Sequence, residues 1–497
     1  MKNIREYMSE KGSSDKTEGK KVKILQFGEG NFLRGFVDEM IDKANDEKVM
    51  NAEVIIVKPR KGSLSKAFEE QNCLYTTSLR GEEGICNRVI SCVSEAYSCY
   101  DDYDRFMELA KDADLRFIIS NTTEAGIVFD SSDKFSSDPP ASFPGKLAKF
   151  LYLRYKTFEA DREKGVVIIP VELIDDNGAE LKRCILRLAD LWDLEKKFID
   201  WIEEACIFCS TLVDRIISGY PAEEAESLWE EWGYKDELIV TGESFGLWVI
   251  EPKKDISDEF PLHKAGLPVL YVNDIKPYKK RKVRILNGAH TSFVPAAYLM
   301  GYDTVSQAMS DKTIYDFVNG LLKEEVIPTL DMDKTESESF ADSVIARFKN
   351  PYIRHELSAI ALNSISKWKT RCMPAMLDYI DMFGKVPEKM LFSFAALLAF
   401  YRAGRDEEGR LVGKRICNGK EVPYEIRDED KVKKIFENAA VLDIEDYVKR
   451  VMSEKELWGR NLSEAGLSEQ RVACLVKEIA ESPRRALSML LSNAKDS

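Results

Sequence analysis

Lys282, Asn287 and His290 stand in one short segment, K-V-R-I-L-N-G-A-H, whose residue types suit moving a proton and holding an oxygen. A desolvated lysine has its pKa pulled toward neutrality and can then shuttle a proton to an alcohol. An amide N–H can hold a carbonyl oxygen as negative charge develops on it. A neutral imidazole can orient a hydroxyl. If the segment is helical, Asn287 and His290 form an i, i+3 pair, and Lys282 precedes Asn287 by a little over one turn. The competing reading of the same residues is a solvated lysine and a satisfied core histidine.

A second constellation lies near the start of the chain. The run Val22-Lys23-Ile24-Leu25-Gln26-Phe27 leads directly into Gly28-Glu29-Gly30-Asn31-Phe32-Leu33-Arg34-Gly35. A glycine at a strand end permits a tight turn with positive φ. A second glycine two residues on lets backbone amides approach a pyrophosphate. The helix that follows offers unpaired N–H groups and a positive dipole end to that anion. Gly28 and Gly30 fit these roles, and Arg34 adds a charge near the phosphates. The expected dinucleotide-binding segment is therefore Ile24, Leu25, Gln26, Phe27, Gly28, Glu29, Gly30, Asn31, Phe32, Leu33, Arg34 and Gly35. The third glycine of G-x-G-x-x-G falls on Leu33, so the motif is imperfect. An acid for the ribose 2′-hydroxyl usually ends the second strand, but here that place reads Val57-Lys58-Pro59-Arg60. These cations either favour a 2′-phosphate or are solvated surface charges.

The elements around these two segments indicate an α/β chain. Strand-like runs Val22–Phe27, Glu53–Val57, Arg116–Ser120, Val166–Pro170 and Leu267–Val272 alternate with helical stretches such as Phe36–Asn45, Pro144–Lys156, Gly178–Leu191 and Leu194–Ile207. That alternation implies a doubly wound parallel sheet. Past Lys276 the β signal fades and helical periodicity takes over, as in Ile314–Val326, Glu356–Lys367 and Met390–Ala403. The expected organisation is a flexible polar arm over 1–21, a Rossmann-type dinucleotide-binding domain over 22–275, and a mainly α-helical substrate domain over 276–497. A length of 497 residues suits two or three cores. Hydrophobic content of 44% and a mean hydropathy of −0.30 mark a globular chain.

A net charge of −14 argues against a nucleic-acid partner. No apolar run is long enough for a membrane span, and the N-terminus has no apolar signal core. The ten cysteines are scattered, which fits a reduced, cytoplasmic compartment. Cys206 and Cys209 form a C-x-x-C pair inside a segment read as helical, with no second pair to complete a zinc site. Structural thiols are therefore favoured over redox or metal chemistry. Three histidines leave little scope for a multi-histidine metal centre.

The segment Lys282–His290 resembles the K-x4-N-x2-H signature of the polyol-specific long-chain dehydrogenase/reductase, or mannitol dehydrogenase, family. The likeness runs over nearly the whole chain from Val22 onward. I-L-Q-F-G-E-G-N-F-L-R-G, Ser120–Gly126, Ile169–Ile174 and Val213–Ile216 look most like the branch that interconverts D-altronate and D-tagaturonate in hexuronate catabolism. Branches acting on fructuronate or mannitol are the alternatives, and a non-catalytic dinucleotide-binding protein is a further one.

The resemblance implies that Lys282 is the general base, Asn287 a donor to the substrate oxygen and His290 a positioning residue. It further implies Asn177 as a second oxyanion donor and Glu124 as a carboxylate that relays the proton. NAD is the implied cofactor, contacted by the glycine segment together with Asn121 and Thr122, and no metal takes part. Asp214 in V-D-R-I belongs to a family motif at the cleft, and reads equally well as a salt bridge or helix cap. Lys367, Lys369 and Arg371 concentrate positive charge in an acidic protein. They form either the pocket for a sugar-acid carboxylate or a solvated face. The expected active site lies in the cleft between the two domains, with a small sugar acid as substrate and no nucleic acid or membrane as partner.

Overall fold

The computed structural model describes residues 1–11, 22–123, 125–417 and 419–493. The chain divides into two compact units, Met1–Ile275 and Lys276–Ser497. In the first unit, six strands are labelled in chain order: β1 (Val22–Phe27), β2 (Ala52–Lys58), β3 (Val93–Ser98), β4 (Leu115–Ser120), β5 (Val167–Pro170) and β6 (Ile207–Phe208). They lie side by side as β3-β2-β1-β4-β5-β6. Every neighbouring pair is parallel. This is the doubly wound order whose strand sequence reverses beside β1, so the crevice outside the ends of β1 and β4 is the place for a ligand.

The sheet is apolar on both faces. Ile24, Val54, Ile56 and Phe117 pack into one core layer. Leu25, Phe27, Ile55 and Ile118 pack into the other. Near-continuous apolar runs, rather than alternation, are what a sheet covered on both faces demands. Two smaller sheets extend the unit. One joins the hairpin Tyr75–Gly81/Gly84–Ile90 to Val240–Glu243 and Ile217–Gly219, and the other pairs Ser210–Asp214, Leu247–Glu251 and Val269–Tyr271.

The expected flexible arm is in part a helix. Ile4–Glu10 starts with a capping box in which Asn3 and Glu6 exchange side-chain and backbone bonds. Ile4 is fully buried, its N–H bonds to the Lys235 carbonyl, and Tyr7 packs on Tyr234 at 4.9 Å. Residues 12–21 of that arm lie outside the described residues. The C-x-x-C pair is not helical either: the helix Lys196–Ala205 stops before Cys206, and Ile207–Phe208 is strand. Burial pushes the Cys206 and Cys209 thiols up to about 11 and about 12, so both stay protonated in the core.

The second unit is mainly helical. Glu388–Tyr401 is apolar all round and nearly wholly buried, the pattern of a central helix. Trp368 and Trp458 pack against its Phe394, and the three ring centroids lie 4.8–6.0 Å apart. A small antiparallel sheet, Gly404–Arg405, Leu411–Cys417 and Lys420–Glu425, interrupts the helices. The stretch read as one helix over Glu356–Lys367 is broken at Asn363, whose φ is +52°, so a new helix runs Ser364–Arg371. Among the described residues, no helix is long and apolar enough to cross a membrane.

Candidate active site

The turn after β1 has the geometry its glycines suggested. Gly28 has φ +126°, and a Cβ there would sit 3.1 Å from both the Asn121 carbonyl and Leu33 Cδ1. Its N–H bonds to Val57 O at 3.0 Å, while Asn121 N bonds to Phe27 O at 3.1 Å, so the loop is seated against the ends of β2 and β4. Nothing lies within 4 Å of the position a Gly30 Cβ would take. That open space at a helix N-cap is the cradle a pyrophosphate fills, and the residues present therefore fit a dinucleotide. The close-packing third glycine exists, but at Gly35. A Cβ there would meet Ile217 and Val240 at 2.8 Å. A π-helical turn, Arg34–Asp38, follows the loop.

Several residues of the expected binding segment serve the fold instead. Ile24, Leu25 and Phe27 are fully buried in the two core layers and cannot touch a ligand. The Gln26 amide supports the loop from beneath, donating to Gly28 O at 3.2 Å and Asp38 Oδ2 at 3.4 Å. Arg34 is buried, and its guanidinium is engaged within the protein. Its guanidinium donates to Leu238 O, Glu29 O and Asn31 Oδ1, and stacks on Tyr75 and Phe68. Nor are the two cations after β2 simply solvated. Lys58 Nζ lies 3.4 Å from Glu29 Oε1 and donates to Ser63 O, while Arg60 donates to Thr122 O at 3.0 Å. A cavity of about 790 Å³ opens here, lined by Pro59, Arg60, Thr122, Thr123, Val128 and Phe129 among others.

Glu172 has no role assigned to it from the sequence, yet it braces the loop. Its buried carboxylate accepts from Thr122 N–H and Oγ1 at 3.0 Å and from Ser120 Oγ at 3.1 Å, fixing the end of β4. Burial raises its pKa, and these donors pull it back. Asn177 does not offer an oxyanion donor. It is fully buried, its amide N–H groups face Pro170 O, Glu172 O and Thr211, and its oxygen accepts from Gly178 and Thr211. Asn177 is thus a bracket between β5 and the strand Ser210–Asp214. Asp214 is buried at that strand's end, and its neighbour Arg215 pairs with buried Glu39 at 3.0 Å. Glu124 lies outside the described residues.

In the second unit Lys282 ends the helix Lys276–Lys282, a π-helical turn spans Val283–Asn287, and the helix Gly288–Leu299 follows. Five residues along an α-helix point about 140° apart. The wider i→i+5 bonding of a π turn narrows that angle, and such turns recur at functional sites. Lys282 and Asn287 are partly exposed and His290 is buried. Arg281 and Arg284 clamp the turn, pairing with Glu336 and Asp378 at 2.5 Å.

His290 stacks on Phe348 at 4.0 Å and meets His355 edge-on at 4.9 Å. Its Nε2 is buried without a hydrogen-bond partner among the described residues. Burial holds its pKa well below the ordinary histidine value, with His355, Arg347, Arg371 and Lys367 adding repulsion. The imidazole is therefore neutral. Arg371 reaches Thr291 Oγ1 at 3.4 Å, and Thr291 bonds back to Asn287 O at 2.8 Å. Lys367 donates to Ile360 O, and its pKa is lowered by burial and then by Arg371. Lys367 and Arg371 thus both bear electrostatically on His290, as does Arg347, which no local pattern signalled. Lys369 faces Gly459 instead. Among the described residues, no group of three or more His, Cys, Asp or Glu is placed to hold a metal ion.

Comparison with known proteins matches residues 22–264 to the mannitol dehydrogenase Rossmann domain and residues 274–480 to the mannitol dehydrogenase C-terminal domain. The chain is 43% identical over 466 residues to the altronate oxidoreductase of Bacillus subtilis (strain 168), an alignment covering 92% of this chain and 93% of that one. It is 42% identical to the altronate oxidoreductase of Enterobacter sp. (strain 638), over 94% of this chain and 96% of that one. Among solved structures it shares the fold of a D-sorbitol dehydrogenase, with TM-score 0.77 and 23% identity over 95% of this chain and 96% of that one. It also shares the fold of Pseudomonas fluorescens mannitol 2-dehydrogenase, solved with NAD and D-mannitol, with TM-score 0.61 and 20% identity over 97% and 96%. A doubly wound unit with a glycine cradle, a helical unit carrying Lys282, Asn287 and His290, and identity of this extent place the chain in the mannitol dehydrogenase family.

Proposed function

We propose that this dehydrogenase interconverts D-altronate and D-tagaturonate with NAD(H). The observation that carries the sugar-acid reading is the cationic surround of His290. Arg347, Lys367 and Arg371 all act by charge on a neutral imidazole whose Nε2 has no hydrogen-bond partner among the described residues, and Arg371 reaches Thr291 one residue away. A carboxylate is the natural partner for such a cluster, and Arg presents a planar fork to it. The altronate oxidoreductases at 43% and 42% identity supply the particular acid.

The glycine cradle and its helix N-terminus bind the dinucleotide, and Asn121 and Thr122, fixed by Glu172, border it. When bound, the nicotinamide supplies the hydride. In the reducing direction Lys282 gives its proton to the ketone oxygen, and in the oxidising direction it accepts one. Asn287 donates to the same oxygen as charge develops. Neutral His290 orients a substrate hydroxyl, and Arg371 with Lys367 anchors the carboxylate. Asn177 has no part in this scheme, because its donors are consumed within the fold.

The test is side-by-side reduction of tagaturonate, fructuronate and fructose with NADH and with NADPH. Tagaturonate with NADH should give the highest kcat/KM. Fructose, lacking the carboxylate, should fall roughly ten- to a hundredfold below it, the worth of one charge-assisted bond. Lys282→Ala should lower kcat roughly 10²–10⁴-fold on the same substrate. Equal turnover of fructose would replace the sugar-acid reading with a polyol one.

A further inference from the structure

We propose that Glu29, the residue between the two cradle glycines, sets the choice between NAD and NADP. This rests on the reading that the first unit binds a nicotinamide dinucleotide. The acid that usually meets the ribose 2′-hydroxyl ends the second parallel strand. Here β2 ends in Lys58, followed by Pro59 and Arg60. Taken as sequence, those cations either favour a 2′-phosphate or are solvated surface charges, and neither supplies the acid.

The geometry changes this reading. The glycine loop leans against the end of β2 through the 3.0 Å bond from Gly28 N to Val57 O, which carries Glu29 over Lys58. The Glu29 carboxylate stands 3.4 Å from Lys58 Nζ, and the same ammonium donates to Ser63 O at 3.0 Å. Arg60 is also engaged, its guanidinium donating to Thr122 O at 3.0 Å. Both cations that would receive a 2′-phosphate already have partners, and one partner is a carboxylate. The Glu29 side chain is 30% exposed and Lys58 18%, so the pair borders solvent and is open to a ligand. A carboxylate so placed accepts from a ribose 2′-hydroxyl and repels a 2′-phosphate. The glycine loop thus supplies the acid that the strand end lacks.

The experiment is isothermal titration of the wild-type chain, Glu29→Gln and Glu29→Ala with NADH and with NADPH, in the absence of substrate. The expected wild-type result is tighter binding of NADH. In both variants the ratio of the two dissociation constants should shift toward NADPH by roughly ten- to a hundredfold. Most of that shift should come from improved NADPH binding, because Lys58 is released. Glu29→Asp, which keeps the charge, should retain the discrimination. If wild type prefers NADH and both neutral variants keep that preference, the role of Glu29 is overturned while the NAD reading stands. If wild type binds the two cofactors equally, the NAD reading itself falls, and the role of Glu29 with it.

Discussion

Lys369 sits two residues from Arg371 on one helix, yet the two side chains have different surroundings. Residues four apart on a helix share a face and residues two apart do not. Lys367 and Arg371 therefore share a face, and both bear electrostatically on His290, while Lys369 lies against Gly459. From this follows a contrast within three neighbouring cations. Arg371→Gln should lower kcat/KM for tagaturonate by roughly ten- to a hundredfold and affect fructose far less, because only the acid loses a charge-assisted bond. Lys369→Gln should leave both substrates within about twofold, as a charge outside the cluster offers the carboxylate little. Steady-state kinetics on the two ketoses decides it. A Lys369 variant as damaged as the Arg371 variant would mean that the carboxylate is held elsewhere.

Two glycines of one loop answer to different constraints, and substitution should separate them. Gly30 has φ −67° and ψ 159°, which any residue adopts, and a Cβ there enters open space. Gly30→Ala should therefore change fold stability by no more than about 1 kcal/mol, the usual scale of an N-cap change. It should nevertheless weaken NADH binding by on the order of tenfold or more, since the methyl group occupies the pyrophosphate's place. Gly28→Ala meets left-handed backbone and the Asn121 carbonyl at once, and should cost roughly 1–3 kcal/mol of folding stability. Thermal melts alongside NADH titrations distinguish the two, and a Gly30 variant that binds NADH normally would remove the phosphate from this loop. Much of this element was legible in the sequence, because strand β1 ends where the apolar run ends and the glycines follow at once. Other elements were not. Lys282 and Asn287 are joined by a π turn, which has no propensity signature. Gly35, inside the separate π turn Arg34–Asp38, takes the close-packing role expected of position 33 because Ile217 and Val240, far along the chain, press on it. Asn177 sits beside a glycine at a helix start, and nothing local reveals that Thr211, far along the chain, consumes its amide. Arg347 bears electrostatically on His290 from the helix Lys334–Lys349, which only tertiary packing can show.

Each of the two units encloses a carboxyl group that ionises near neutrality, and this ties the stability of the whole chain to pH. Asp38 is fully buried beneath the glycine loop and held by Tyr75 at 2.9 Å, and burial raises its pKa to about 7. Glu325 caps the helix Glu388–Tyr401 through the N–H groups of Lys389 and Met390, and burial raises it likewise to about 7. In the unfolded chain such groups titrate near 4. Between about pH 4 and about pH 7 the folded state therefore binds more protons than the unfolded one. Stability from these groups is full below that window and is lost as pH rises through it, by roughly 1.4 kcal/mol per pH unit for each group. His290 acts in the opposite sense. Its folded pKa is depressed, so below about 6.5 the unfolded chain takes a proton that the folded chain refuses, and acid destabilises. The second unit thus carries opposing terms, and Asp38 of the first unit gives the cleaner test. Asn mimics the neutral acid in shape and hydrogen bonding, so Asp38→Asn should melt close to wild type at pH 4, where the carboxyl is protonated in the folded state and about half protonated in the unfolded one. At pH 8 the variant should melt higher, by several degrees, because wild type must ionise a carboxyl in the core and the variant need not. Melting both proteins from pH 4 to 8 measures this directly. A difference in Tm that stays constant over that range would show that Asp38 ionises in the folded chain as freely as in water, its burial notwithstanding.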